Sequence, residues 1–175
     1  RRKLAVVVSA QAGETNRLLN LLQQVSPNPP AEAYDMALAS GEQVSVALLS
    51  AALSDIGIGA VPLLGYQLGI KTTGLHTKAR IQSIDRAKME SVWKQGKIAV
   101  VAGFQGINDR QEITTLGRGG SDTSAVALAV AVGAEYCEIN TDVAGVFTAD
   151  PRMVAGARVI DHLDYEVALE MASLG

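Results

Sequence analysis

Residues 4–25 read LAVVVSAQAGETNRLLNLLQQV, and this stretch sets the fold class. Leu4 to Val8 is an unbroken apolar run ending in three valines. A strand buried on both faces of a parallel sheet has that composition, whereas a half-exposed strand alternates. Ser9 to Gly13 is a loop of small residues. From Glu14 onward Leu18, Leu21, Leu22 and Val25 fall at helical spacing. Strand, small-residue loop and helix, in that order, form the repeating unit of an α/β protein.

The pattern recurs downstream. Ser26-Pro27-Asn28-Pro29-Pro30 breaks the first helix, and another is expected to start near Ala31. Ser40-Gly41-Glu42 reads as a further helix start, with Ser40 as N-cap and Glu42 at the positive end. That helix would run to about Asp55 and bury Val44, Ala47, Leu48, Ala51 and Ala52. Ala60 to Leu64 is an apolar run, and Ala79 to Ile84 is expected as a strand. Asp85 reads as the N-cap of a helix through Gln95, closed by Gly96. Lys97 to Ala102 is a buried strand leading into Gly103-Phe104-Gln105-Gly106. Ile107 to Gly120 reads as a polar, glycine-rich connection. The helix from Ser121 to Val132 is apolar nearly all round, so it is expected between layers. Ala134 to Ile139 is a further expected strand, and Tyr165 to Ala172 starts a last helix. Together these predict an α/β fold, a three-layer α/β/α sandwich with a mostly parallel central sheet, as one domain over residues 1–175.

Composition narrows the function. With 48% apolar and 19% charged residues the chain reads as globular, not disordered. A net charge of −3 and no basic cluster argue against a nucleic-acid or anionic-lipid partner. The longest apolar stretch, Ala125 to Val132, is too short to span a bilayer, and no signal-peptide pattern opens the chain. One cysteine, Cys137, allows no intrachain disulfide, and a reducing, cytoplasmic setting is expected. Cys137 and Trp93 read as packing residues. His76 and His162 read as surface or capping residues without companions at metal-ligand spacing, so no metal site is expected. The start at Arg1 and the stop just after a helical pattern suggest a piece of a longer protein.

Four loops could carry chemistry. Ser9-Ala10-Gln11-Ala12-Gly13-Glu14-Thr15 offers backbone amides to an anion at a helix start, or is a plain tight turn. Glu42 could receive an ammonium group, or merely cap. In Leu116-Gly117-Arg118-Gly119-Gly120-Ser121-Asp122-Thr123, three glycines surround an arginine and a Ser-Asp pair opens a helix. That combination suits a carboxylate or phosphate better than a surface turn. Thr141-Asp142-Val143-Ala144-Gly145-Val146-Phe147-Thr148-Ala149-Asp150-Pro151-Arg152 supplies hydroxyls, carboxylates, an aromatic face and an arginine, the groups that hold a purine, a ribose and phosphates. No Walker lysine motif and no Gly-x-Ser-x-Gly elbow occurs.

The segments VVVSAQAGETNRLL, SGE, GFQG, TLGRGGSDTSA and TDVAGVFTADPR, in this order, resemble the aspartokinase branch of the amino-acid kinase family across essentially the whole chain. The resemblance implies transfer of a phosphoryl group from ATP, carried with Mg²⁺, to the β-carboxylate of L-aspartate. It places Ser9, Thr15, Glu42, Arg118 and Ser121 on the amino acid, with Arg118 also clamping at the reaction centre and Asp122 near the reacting end. Thr141, Asp142, Phe147, Thr148, Ala149, Asp150, Pro151 and Arg152 fall in the nucleotide segment. It further implies a homo-oligomer, an upstream strand with a Lys-Gly-Gly motif, and regulatory ACT domains downstream. Neither lies within these 175 residues. Phe147 stands where tyrosine is frequent, and Asn140 and Ala144 also depart from common choices. A glutamate or uridylate kinase and a non-catalytic ligand-binding piece are the competing readings. Arg118 with Glu42 suits an amino acid's two charges rather than a nucleobase.

Overall fold

The computed structural model describes residues 3–141, 143–164, 166–168 and 171. The chain divides into two compact units, Arg1–Cys137 and Glu138–Gly175.

In the first unit β1 (Ala5–Val8), α1 (Glu14–Val25), α2 (Ala31–Asp55) and β2 (Ala60–Leu63) come first. A 3-10 turn over Gly65–Leu68 leads to β3 (Lys71–Thr72) and β4 (Ile81–Ser83), then α3 (Ala87–Lys94) and β5 (Ile98–Ala102). The hairpin strands β6 (Gln105–Ile107) and β7 (Ile113–Thr115) precede α4 (Gly120–Val132). Strands β1, β5 and β2 form a parallel sheet with β5 in the middle.

That central place explains the unbroken apolar run of β5. Ala99 and Val101 enter one core with Leu63, Met89, Val92 and Leu128, while Val100 and Ala102 face Val46 in another. Helix α2 covers one face of the sheet, and α3 and α4 supply the other core. Three layers follow directly from the alternation of one strand.

A second sheet, in the order β4-β3-β6-β7, is mostly antiparallel. Two of its strands are unexpected: β7 lies inside the stretch that reads as a polar connection, and β6 overlaps the Gly103–Gly106 segment just before it. They are three residues long and carry Gln105, Thr114 and Thr115, all buried, so no alternating apolar pattern announces them.

Several expectations are corrected. The two helices expected around residue 40 are one, because Ser40 is interior: its Oγ donates to the Ala37 carbonyl at 2.6 Å instead of capping. The buried face of α2 carries Asp35, Leu38, Ala39, Gly41, Glu42, Val46 and Ser50, and the expected stripe through Val44 and Leu48 is about half exposed. Polar and small residues on the inner face displaced the apolar signal to the outer one. By length and composition alone α2 is long and apolar enough to cross a membrane. Here it packs on the sheet with two buried carboxylates facing inward.

Helix α4 buries Gly120, Ser124 and Leu128 but leaves Val126 and Val130 exposed, so it is covered on one side. Ala134 to Ile139 forms no strand, and Cys137 is exposed, not packed. His76 is no surface residue: its side chain is 8% exposed. Trp93 does pack, and its indole N–H donates to the Leu4 carbonyl at 2.9 Å.

In the second unit, Phe147 bridges Val159 in antiparallel fashion, and residues 166–168 and 171 are helical.

Candidate active site

Strands β1 and β5 run side by side, so their carboxyl ends open at the same edge. The Gly103 amide extends the pairing to the Val8 carbonyl at 3.1 Å. Beyond that edge lies a cavity of about 270 Å³ lined by Ser9, Ala10 and Thr15, by Glu42, and by Phe104 with Gly117–Asp122. Ligands of open α/β sheets bind in this crevice.

Glu42 reaches the cavity from the middle of α2. Gly41 beside it admits the loop after β1, since a Cβ there would stand 2.9 Å from the Ala10 Cβ. The Ala10 amide donates to Glu42 Oε1 at 3.1 Å. Glu42 Oε2 is buried and has no hydrogen-bond partner among the described residues. Burial pushes the Glu42 carboxyl above the usual carboxylate range, against the opposing pull of the Ala10 amide. A buried oxygen without a donor is expensive and is satisfied by a group that arrives with a positive charge.

Opposite in character are two helix starts. Gly13 caps α1 at φ 80° and Gly119 caps α4 at φ 67°, left-handed conformations that glycine adopts without strain. Neither helix has a side-chain cap. Their first-turn amides, Thr15 in one and Ser121 and Asp122 in the other, are therefore available to an anion. Arg118 is exposed and makes no ion pair or hydrogen bond with another described residue.

The wall between these groups is set by close packing. A Cβ at Gly103 would meet the Ser121 Cβ at 2.8 Å, and one at Gly120 would meet the Phe104 ring at 2.7 Å. Phe104 holds φ 66°, unusual for a bulky residue. Its amide donates to Ser124 Oγ at 3.0 Å and its carbonyl accepts the Leu116 amide at 3.0 Å. Sequence reading gave neither Phe104 nor Ser124 a role in the site, although Phe104 lies in the GFQG segment and Ser124 follows the Ser-Asp pair that opens α4.

The six residues expected on the amino acid and at the reacting end, Ser9, Thr15, Glu42, Arg118, Ser121 and Asp122, thus line one cavity. The nucleotide segment belongs to the second unit. There Thr148 donates its amide to the Arg158 carbonyl at 2.9 Å, and its Oγ1 accepts the Arg158 amide at 3.1 Å. Asp150 pairs with Arg152 at 2.9 Å, which holds the Asp150 carboxyl below its ordinary range. Ala149 is half-buried, whereas Pro151 and Thr141 are exposed. Asp142 lies outside the described residues, as do Tyr165 and Ala172 at the bounds of the expected last helix.

Residues 1–175 match the amino acid kinase family throughout. The chain belongs to that family. Over 172 residues this family member is 52% identical to the aspartate kinase Ask_LysC of Stutzerimonas stutzeri, covering 98% of the chain and 42% of that protein. The solved aspartate kinase of Synechocystis is 50% identical with a TM-score of 0.80, over 99% of this chain and 28% of that one. Aspartokinase III of E. coli, solved in complex with aspartate and ADP in its R-state, is 27% identical with a TM-score of 0.74, over 90% of this chain and 36% of that one. The chain therefore spans less than half the length of these relatives. Its α/β architecture is that of the amino acid kinase fold.

Proposed function

We propose that this chain is the catalytic-domain part of an aspartokinase, which transfers the γ-phosphoryl group of ATP to the β-carboxylate of L-aspartate. The observation that carries the reading is the buried Glu42 Oε2, without a partner among the described residues, in a cavity otherwise furnished for anions. An α-amino acid has one ammonium group for Glu42 and a carboxylate for Arg118 and the uncapped helix starts. Half identity to aspartokinases over nearly the whole chain supports the same substrate.

In the transfer, a β-carboxylate oxygen attacks the γ-phosphorus in line, the bond to the β-phosphate oxygen breaks, and ADP leaves. A carboxylate nucleophile is already ionised at neutral pH, so no proton needs removing. Positioning and charge neutralisation then do the work. Arg118 and the α4 amides would hold the substrate carboxylate, Ser9, Thr15 and Ser121 would line it, and Asp122 would stand near the reacting end. Thr141, Asp142 and Phe147–Arg152 would hold the nucleotide. Mg²⁺ would travel with the phosphates of the nucleotide.

The full protein would carry the Lys-Gly-Gly strand and ACT domains, act in the cytoplasm as a homo-oligomer, and serve lysine, threonine and methionine synthesis. Titration calorimetry with L-aspartate and with Mg-ATP, using L-glutamate and UMP as controls, tests the reading. Saturable binding of L-aspartate that disappears in Glu42→Ala and Arg118→Ala is expected. Preference for UMP or glutamate would leave the family and remove the substrate.

A further inference from the structure

Helix α2 carries two buried carboxylates, Asp35 and Glu42, seven residues apart and therefore on one face. Glu42 lines the cavity. Asp35 does not, yet it is fully buried and is held by three groups from outside its own helix. Thr115 Oγ1 donates to Asp35 Oδ1 at 2.6 Å, and the His76 Nδ1–H donates to Oδ2 at 2.7 Å. The Thr77 amide reaches both oxygens, at 3.1 and 3.0 Å.

Two of these donors adjoin the loop that bears Arg118. Thr115 ends β7, and Leu116 to Gly120 follow it directly. Thr77 lies under Gly117, where an added Cβ would stand 3.4 Å from the Thr77 carbonyl oxygen. Thr77 also holds φ 65°, a conformation that a β-branched residue keeps only when its surroundings fix it. The Asp35 carboxylate on its amide is such a fix. Gln105 grips the helix around the same stretch: its Nε2 donates to the Ala39 carbonyl, between the two acids, at 3.0 Å, and its Oε1 accepts Gln43 Nε2, just past Glu42, at 3.2 Å.

We propose that Asp35 is a positioning residue that fixes the separation between Glu42 and Arg118, and with it the length of amino acid the cavity accepts. Seven helical residues make a spacer of about 10 Å that does not stretch. One end holds the acceptor for an ammonium group, and the other holds the base of the loop that offers the guanidinium. L-Glutamate is longer than L-aspartate by one methylene, a difference that a fixed pocket can turn into roughly tenfold or more. The identity of the amino acid rests on the aspartokinase reading; the fixing of the loop does not.

Thr115→Val removes one hydroxyl at nearly constant shape and leaves the His76 and Thr77 bonds in place, and Thr115→Ser restores the hydroxyl. Two readouts are compared in this chain, each variant checked for folding by circular dichroism. Amide exchange over residues 116–121, without ligand, should rise about tenfold in Thr115→Val and stay near wild type in Thr115→Ser. L-Aspartate affinity, and its preference over L-glutamate, should each fall about tenfold in Thr115→Val and recover to about twofold in Thr115→Ser. Should Thr115→Val not fold, Asp35→Asn is read in the same way. Unchanged exchange over 116–121 in a folded variant overturns the proposal, as does a wild-type aspartate preference. Raised exchange in Thr115→Val, where the wild-type chain itself binds no L-aspartate, upholds the fixing of the loop and sinks the aspartokinase reading instead.

Discussion

Glu42 accepts the Ala10 amide through Oε1 at 3.1 Å while its Oε2 stays buried without a partner among the described residues. One oxygen builds the cavity and the other is kept for a ligand. The residue is thus destabilising while the cavity is empty and stabilising once a cation arrives. Glu42→Gln should leave the ligand-free chain as stable as wild type or up to about 1 kcal/mol more so. It should weaken L-aspartate binding by roughly tenfold to a hundredfold. Thermal melting with and without L-aspartate checks both halves.

Arg118 presents the reverse case. It is exposed and makes no bond with another described residue, so Arg118→Ala should change stability by no more than about 0.5 kcal/mol. The same variant should lose about 1.5–3 kcal/mol of L-aspartate binding, the range for a charged hydrogen bond. Calorimetry beside a urea melt measures the two quantities on one preparation.

Gly41 opposes two effects. Alanine in a helix interior gains about 1 kcal/mol over glycine. Here its Cβ would stand 2.9 Å from the Ala10 Cβ, and overpacking of that kind costs about 1–3 kcal/mol. The contact should win. Gly41→Ala is expected to lower the melting temperature by a few degrees and to weaken L-aspartate binding, because the Ala10 loop must retreat. A melting temperature raised above wild type would show that the loop yields freely.

The His76 imidazole adds a pH dependence. Burial works against its charged form, but the hydrogen bond and charge of Asp35 outweigh it, helped by Glu112 and Glu32, and its pKa lies above 6.5. The folded chain therefore binds more protons than the unfolded chain just above pH 6.5. Stability from this pair is complete below that value and is lost as pH rises through the raised pKa. Urea midpoints measured from pH 6 to pH 8 should fall, and the fall should be smaller in His76→Gln.

How far the sequence could be read depended on whether a segment's structure came from its own pattern. β5 and α1 announce themselves, since five apolar residues in a row and leucines at helical spacing have few other uses. The hairpin of β6 and β7 does not. Gln105, Thr114 and Thr115 are buried because of distant partners, such as the Thr72 hydroxyl 2.6 Å from that of Thr114. Ala134 to Ile139 shows the opposite failure: its composition is strand-like, yet it forms no strand, because composition alone does not make a ladder.

The cavity was legible through its loops, because glycine-rich turns with an arginine and a Ser-Asp pair leave a mark on the chain. Its supports were not. Nothing in the sequence sets Asp35 apart from the other acids of α2, Glu32, Glu42 and Asp55, or Ser124 from Ser121 and Thr123 beside it. Their roles exist only once β7 and the turn after β5 are brought against them.

The length of α2 between Asp35 and Glu42 has a consequence for inheritance. An inserted or deleted codon in that interval would turn Glu42 by about 100° around the helix axis and carry it off the cavity wall. Substitutions there can be sampled one at a time, but changes of length cannot. The loop at 26–30, with no buried residue, faces no such restriction, so drift in chain length should collect there and spare residues 35–42.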